Sequence, residues 1–233
     1  MRPMDAKTLQ HNYARLLERV RLAAEKYQRQ PESVRILAVS KTRSAEEIRE
    51  AAVLGLRAFG ENYLQEAREK MEQLRDLDLE WHFIGPIQSN KTRPIAEAFD
   101  WVHSVDREKV ARRLSEQRPP TMPPLQVCLQ VNVSCEASKA GVTPEALPEL
   151  ARAVAALPRL QLRGLMAIPA ASDDVDSQRR AFAALRHCLE GLPSGLDTLS
   201  MGMSGDLEAA IAEGSTLVRI GTDLFGPRPR PAG

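Results

Sequence analysis

The sequence predicts an α/β chain folded as a single (β/α)8 barrel with one additional N-terminal helix. Three observations carry that expectation. Short apolar runs alternate with segments of helical period, strand then helix, along most of the chain. The strand runs lack polar alternation, as strands buried on both faces do. The 233 residues suffice for eight such units, since a barrel of this kind runs to about 250 residues. Strict alternation implies parallel strands with helical crossovers. An open, doubly wound sheet satisfies the same alternation, so periodicity leaves it as a structural rival.

Asp5 to Arg29 comes first, with Leu9, Tyr13, Leu16, Val20, Ala24 and Tyr27 on one amphipathic helical stripe. Pro31 closes it, and 35–40 is an apolar first strand. Ser44 opens a helix to about Leu54, with Glu47 completing a capping box. Gly55 ends it, and 56–59 is the second strand candidate. A helix over 62–77, a strand over 81–84, a helix over 91–98 and a strand over 101–105 follow. Asp106 is expected to cap a helix to Gln117, ahead of a proline-rich connector at 119–124. The fifth strand spans 125–133. Thr143 is expected to cap the next helix, with Pro144 at its first position. Strands at 160–166, 198–201 and 216–220 alternate with helices at 174–189 and 206–213. No helix is expected after the last strand. Residues 1–233 read as one domain, with a fraying tail from Gly226.

Composition narrows the function. The hydrophobic fraction is 43%, and 32 cationic against 31 acidic residues leave a formal charge of +1. That balance offers nothing to nucleic acid. No apolar stretch approaches the ~18 residues of a membrane span, and the N-terminus lacks a signal-peptide core. Cys128, Cys135 and Cys188 are an odd number without motif spacing, which suits reduced thiols in a cytoplasmic protein. His11, His82, His103 and His187 are scattered, so no metal site is expected. Only seven of the cationic residues are lysines, at 7, 26, 41, 70, 91, 109 and 139.

Parallel α/β folds bind ligands at the C-terminal ends of their strands. The first strand delivers Lys41 there, the one lysine that directly follows a continuous apolar run. Partial desolvation favours its neutral amine, a nucleophile for carbonyl groups, although a solvated strand-end lysine fits the position as well. Gly60 and Asn62 stand at the end of the second strand, where a plain turn with a helix cap is the simpler reading. His82 reads as a core histidine rather than a catalyst. The seventh and eighth strands deliver Ser200-Met-Gly-Met-Ser204-Gly-Asp206 and Arg219-Ile-Gly221-Thr222. Glycines and hydroxyls before helix N-termini suit a phosphate, and in barrels the loops after strands seven and eight are its usual place. Either loop alone is a common glycine turn. A carbonyl-binding lysine and a phosphate cradle together point to pyridoxal 5′-phosphate (PLP). Arg219, permanently cationic, would then face the pyridine nitrogen and keep it unprotonated, weakening the ring as an electron sink.

AVSKT at 38–42, FGENYLQE at 59–66, WHFIGPIQSNK at 81–91, QVNVSCEASKAG at 130–141, GLMAIP at 164–169, LSMGMSGDLEAAI at 199–211 and VRIGTDLFG at 218–226 resemble the pyridoxal phosphate homeostasis proteins over nearly the whole chain. The resemblance implies a fold-type III barrel like the N-terminal domain of alanine racemase. It implies PLP as a covalent imine on Lys41, with Ser204, Gly221 and Thr222 holding the phosphate and Arg219 facing the ring nitrogen. Asn62, Ser200 and Met201 would lie around the ring. It also implies a role in intracellular PLP supply and amino-acid balance, without assigning any residue a catalytic role. PLP-dependent apo-enzymes are the transient partners expected, and a monomer is expected.

Two other functions stay open here. An amino-acid racemase needs a second acid/base group opposite the lysine, which alanine racemase takes from a separate domain. The chain runs only 13 residues past Ile220, and its tyrosines are Tyr13, Tyr27 and Tyr63. The first two fall on the N-terminal stripe, and Tyr63 stays open as a pocket neighbour. A class I aldolase would use a barrel lysine without a cofactor, and its purified form would be colourless.

Overall fold

The computed structural model describes residues 5–134 and 139–227. Eight parallel strands close into a barrel in sequence order. They are β1 (Arg35–Val39), β2 (Ala58–Glu61), β3 (Glu80–Phe83), β4 (Trp101–Val105), β5 (Leu125–Gln130), β6 (Leu160–Met166), β7 (Thr198–Ser200) and β8 (Leu217–Ile220). Registered pairing of β8 on β1, from Arg35↔Leu217 to Ala38↔Ile220, closes the ring and excludes the open sheet. The helices are α1 (Ala6–Lys26), α2 (Ala45–Val53), α3 (Leu64–Gln73), α4 (Thr92–Ala98), α5 (Glu108–Gln117), α6 (Leu147–Ala155), α7 (Val175–Glu190), α8 (Leu207–Ala212) and α9 (Thr222–Phe225). No helix among the described residues is long and apolar enough to cross a membrane.

Most expected elements stand within a residue or two of their places, and the differences have local causes. β2 starts two residues late because the Leu56 N–H turns back to the Ala51 carbonyl, closing α2 in a Schellman motif. That shift carries Glu61 to the strand's C-terminal end. Asp106 does not cap α5. Arg107 holds the cap position, and the Asp106 carboxylate pairs with the Arg107 guanidinium instead. Thr143 accepts the Ala146 and Leu147 N–H groups on its carbonyl, which makes a lead-in turn. Regular helix begins only at Leu147, with Pro148 in its first turn. α9 is an unforeseen single turn after β8, too short for any period to reveal. Of the expected tail, Gly226 and Pro227 are fixed by their carbonyls, which accept from Arg43, while 228–233 lie outside the described residues. Cys135 lies outside them too, and Cys128 is a buried thiol.

The Asp5 carboxylate caps α1 through the Lys7 and Thr8 amides. The helix buries Leu9, Leu16, Val20, Ala23 and Ala24, and each buried Leu or Val stabilises by roughly 1.5–3 kcal/mol. It lies against α8 and α9. The main apolar core fills the layer between barrel and helices. Inside the barrel, Leu37, Ala58, Ile84 and Leu217 pack together, and Trp101, Cys128 and Met166 form a second small group. The rest of the interior is polar: His82, His103, Ser200 and Arg219 are all buried.

Candidate functional site

A cleft of about 290 Å³ opens among the C-terminal ends of β1, β2, β3, β6, β7 and β8. Six of the eight residues singled out by the sequence line it: Lys41, Asn62, Ser204, Arg219, Gly221 and Thr222. Arg43 lines it as well, a cation that sequence reasoning passed over although it stands two residues after Lys41. Val39, Ile84, Ile168 and Met203 supply apolar walls. Among the described lining residues there are three cationic side chains and no carboxylate.

Ser200 and Met201 do not line the cleft. Side chains alternate in and out along a strand. Ser200 points into the barrel interior, fully buried, and Met201 joins the outer core. Ser200 still touches the site through its neighbour, because its carbonyl and hydroxyl accept from Arg219 Nη1 at 2.5 and 2.8 Å. Arg219 Nη2 donates to the Ala167 carbonyl at 2.8 Å. Burial pushes the Arg219 guanidinium down to about 10, against the opposing pull of Asp206, so it remains a cation at neutral pH. Tyr63 is exposed beside the site at the start of α3 and does not line it.

The loop that carries Lys41 is held from below. Lys70 on α3 is buried and donates to the Ser40 carbonyl and to Glu61 Oε1, each at 2.7 Å, and also to Glu66. The Ser40 hydroxyl donates to the same Glu61 oxygen at 2.6 Å, and Glu66 accepts the Thr42 N–H. One buried ammonium thus fixes both neighbours of Lys41. Burial raises the Glu61 carboxyl, although Lys70 and Ser40 oppose the shift. Lys41 itself is partly buried.

Two glycines shape the rest. Gly202 has φ +98°, and a Cβ there would lie 2.5 Å from Ala210 Cβ, so the turn after β7 needs glycine. A Cβ on Gly85 would lie 2.4 Å from the Asn62 carbonyl oxygen, so Gly85 lets the Asn62 backbone approach. Ser204 ties the last two loops together: its hydroxyl accepts the Asp223 N–H at 3.2 Å. Arg19 of α1 binds them from outside. It pairs with Asp223 and Glu208 and donates to the Ser204 carbonyl. The N–H of Thr222, first in α9, has no acceptor within its own turn.

These features fit PLP. Asn62 Oδ1 is buried at the cleft with no hydrogen-bond partner, an orphan that a ligand would satisfy. The cationic lining, the hydroxyls of Ser204 and Thr222 and the apolar walls match a phosphate joined to an aromatic ring.

Comparison with known proteins gives the same direction. The alanine racemase N-terminal domain family model matches residues 4–229. The pyridoxal phosphate homeostasis protein of Pseudomonas aeruginosa is 64% identical over 221 residues, covering 95% of this chain and 96% of its own. Its counterpart in Escherichia coli K12 is 50% identical over 224 residues, covering 94% and 96%. Among solved structures, PipY of Synechococcus elongatus with PLP bound superposes with a TM-score of 0.76. It is 41% identical, covering 88% of this chain and 98% of PipY.

Proposed function

The chain belongs to the pyridoxal phosphate homeostasis protein family, and from that premise we propose that its cleft holds PLP as an imine on Lys41 for intracellular supply. The observation that carries this reading is the lining: three cations with no carboxylate, beside apolar walls and an orphaned amide oxygen. The cofactor supplies an aldehyde that exchanges between amines. Lys41 provides the amine, held in place by the Lys70–Glu61–Ser40 network. Ser204, Gly221 and Thr222 hold the phosphate, and Arg43 adds charge beside it. Arg219 meets the ring nitrogen. Asn62 bonds at the ring edge, while Ser200 and Met201 act from behind, through Arg219 and the packing of β7. One barrel, read as residues 1–233, carries all of this.

The proposed role is a carrier without substantial turnover. Racemisation by two bases needs a second proton carrier opposite the lysine, and no histidine, tyrosine or carboxylate stands among the described lining residues. Delivery to PLP-dependent apo-enzymes, a monomeric state and a reducing, cytoplasmic setting belong to the same reading. Buried Cys128, its thiol pushed up to about 12 by burial, suits that setting.

The test is reduction with borohydride followed by peptide mass spectrometry. The purified protein should be yellow and become fixed to PLP at Lys41. Trapping at another lysine, or none, sinks the assignment. PLP-loaded protein in heavy water should leave the α-proton of a panel of amino acids in place, and rapid exchange would restore the enzyme reading. Transfer of PLP to an apo-enzyme tests delivery directly.

A further inference from the structure

A line of polar side chains, buried from His82 onward, crosses the barrel interior to Arg219. It begins at Glu80, at the N-terminal end of β3, where Arg35 donates to Glu80 Oε1 at 2.7 Å. Glu80 Oε1 lies 2.6 Å from His82 Nε2. His82 Nδ1 lies 2.8 Å from His103 Nε2, and His103 Nδ1 lies 2.8 Å from Ser200 Oγ. Arg219 Nη1 completes the line at 2.8 Å from the same hydroxyl.

Chemistry gives this line one direction. Both imidazoles are buried, which disfavours their charged forms and lowers both below the ordinary histidine value, His103 farthest. Arg35 from β1, Arg219 from β8, Asp100 ahead of β4 and Glu80 on β3 are the charged groups around them. A neutral imidazole has one donor and one acceptor. The Glu80 carboxylate only accepts, so His82 carries its proton on Nε2 and accepts on Nδ1. His103 must then donate from Nε2 and accept on Nδ1, and Ser200 must donate its hydroxyl proton. Arginine only donates, and Ser200 Oγ has a lone pair for it. Every position is filled consistently, and the plane of His82 is fixed by stacking on Trp101 at 8° and 5.3 Å.

We infer that Glu80, His82, His103 and Ser200 form a one-directional hydrogen-bond relay that orients Arg219 and links its charge to a carboxylate at the opposite end of the barrel. They are positioning residues for the ring of the ligand, a consequence that rests on the PLP reading of the cleft. The relay itself does not. It explains how a guanidinium is held cationic deep in the barrel, because successive dipoles all turn their negative ends toward it.

The test is long-range 1H–15N spectroscopy of the imidazoles, with and without PLP, on the full chain and on Ser200→Ala, Ser200→Thr and Glu80→Gln. Between pH 6 and 8 both His82 and His103 should be neutral Nε2–H tautomers in the unloaded chain. Ser200→Ala should leave His103 an Nε2–H tautomer, because His82 still accepts that proton, but should shift its unprotonated Nδ1, which loses the hydroxyl donor, and Ser200→Thr should restore that shift. Glu80→Gln should move the His103 and Arg219 nitrogen shifts although it touches neither residue. PLP retention should weaken about tenfold in Ser200→Ala, the loss of one charge-assisted hydrogen bond, and recover in Ser200→Thr. An Nδ1–H tautomer of His103 overturns the relay, as do His103 and Arg219 shifts indifferent to Glu80→Gln. If the chain fails to hold PLP while the tautomers stand as described, the cofactor reading fails and the relay survives.

Discussion

The two mouths of the barrel handle charge in opposite ways. At the N-terminal mouth two ion pairs lie near the surface. Arg35 pairs with Glu80 at 2.7 Å and Arg163 with Asp197 at 2.5 Å, with partly exposed side chains. At the C-terminal mouth Lys41, Arg43 and Arg219 converge on a cleft with no acid in its described lining. The balancing carboxylates are set back: Glu47 lies 3.6 Å from Arg43, Glu61 is buried under Lys70, and Asp223 is taken by Arg19. One mouth closes the barrel and the other leaves a positive surplus for an anionic ligand. Neutral overall composition conceals the difference, because it averages the two ends.

The contrast breaks most sharply at Lys70. Lys70→Met should destabilise the fold by about 3–5 kcal/mol, as removal of one partner from a buried ion pair does, and thermal denaturation reads this. The loss should depend on pH. Burial raises the folded Glu61 carboxyl above its unfolded value of about 4.5, and the variant lacks the ammonium that opposes this. Unfolding then releases a proton as pH rises past that value, so stability falls with rising pH. The variant should come closest to the parent in acid. Gly85→Ala is next: displacing the Asn62 backbone should cost about 1–3 kcal/mol, and PLP absorbance after dialysis should show weaker retention. Arg43→Gln should cost about 1–3 kcal/mol of stability, because the Gly226 and Pro227 carbonyls and Glu47 lose their partner, and should weaken PLP binding several-fold, roughly the 1 kcal/mol or more of one charge-assisted contact, in a titration followed by fluorescence. Asp197→Asn, at the other mouth, should shift stability by no more than about 1 kcal/mol and leave PLP binding alone. Hydrogen bonding from Arg163 holds the Asp197 carboxyl below its usual value. Its small contribution is therefore present above the unfolded carboxyl value and lost as pH falls. A large effect of Asp197→Asn on PLP would contradict the division between the two mouths.

The barrel was legible in the sequence because apolar strand runs and helical periods are local signals. Lys41, Asn62, Ser204, Arg219, Gly221 and Thr222 were legible because strand ends and glycine-hydroxyl loops mark one face of such a barrel. What escaped was set by distant neighbours. Arg43 is drawn to the cleft by the carbonyls of Gly226 and Pro227, some 183 residues later. Glu61 and Lys70 pair through the two-residue shift of β2, which the Schellman closure at Leu56 decides. The inward turn of Ser200 follows from where β7 ends, and the partners it meets sit on β4 and β8. His82 was read as a core histidine, which it is, but its partners could not be seen from β3 alone.

Arg19 gives the site a timetable. Its partner Asp223 follows it by 204 residues, and β1 closes only on β8. Contacts of such long separation form slowly, after the local ones. The α1 helix and the first strands leave the ribosome long before Ser204, Arg219 and Thr222 exist. A nascent or truncated chain can therefore carry Lys41 and much of the apolar core while lacking the walls that the cleft takes from the last two loops. A complete cleft is reserved for the finished ring, whose lining joins residues from the two ends of the chain.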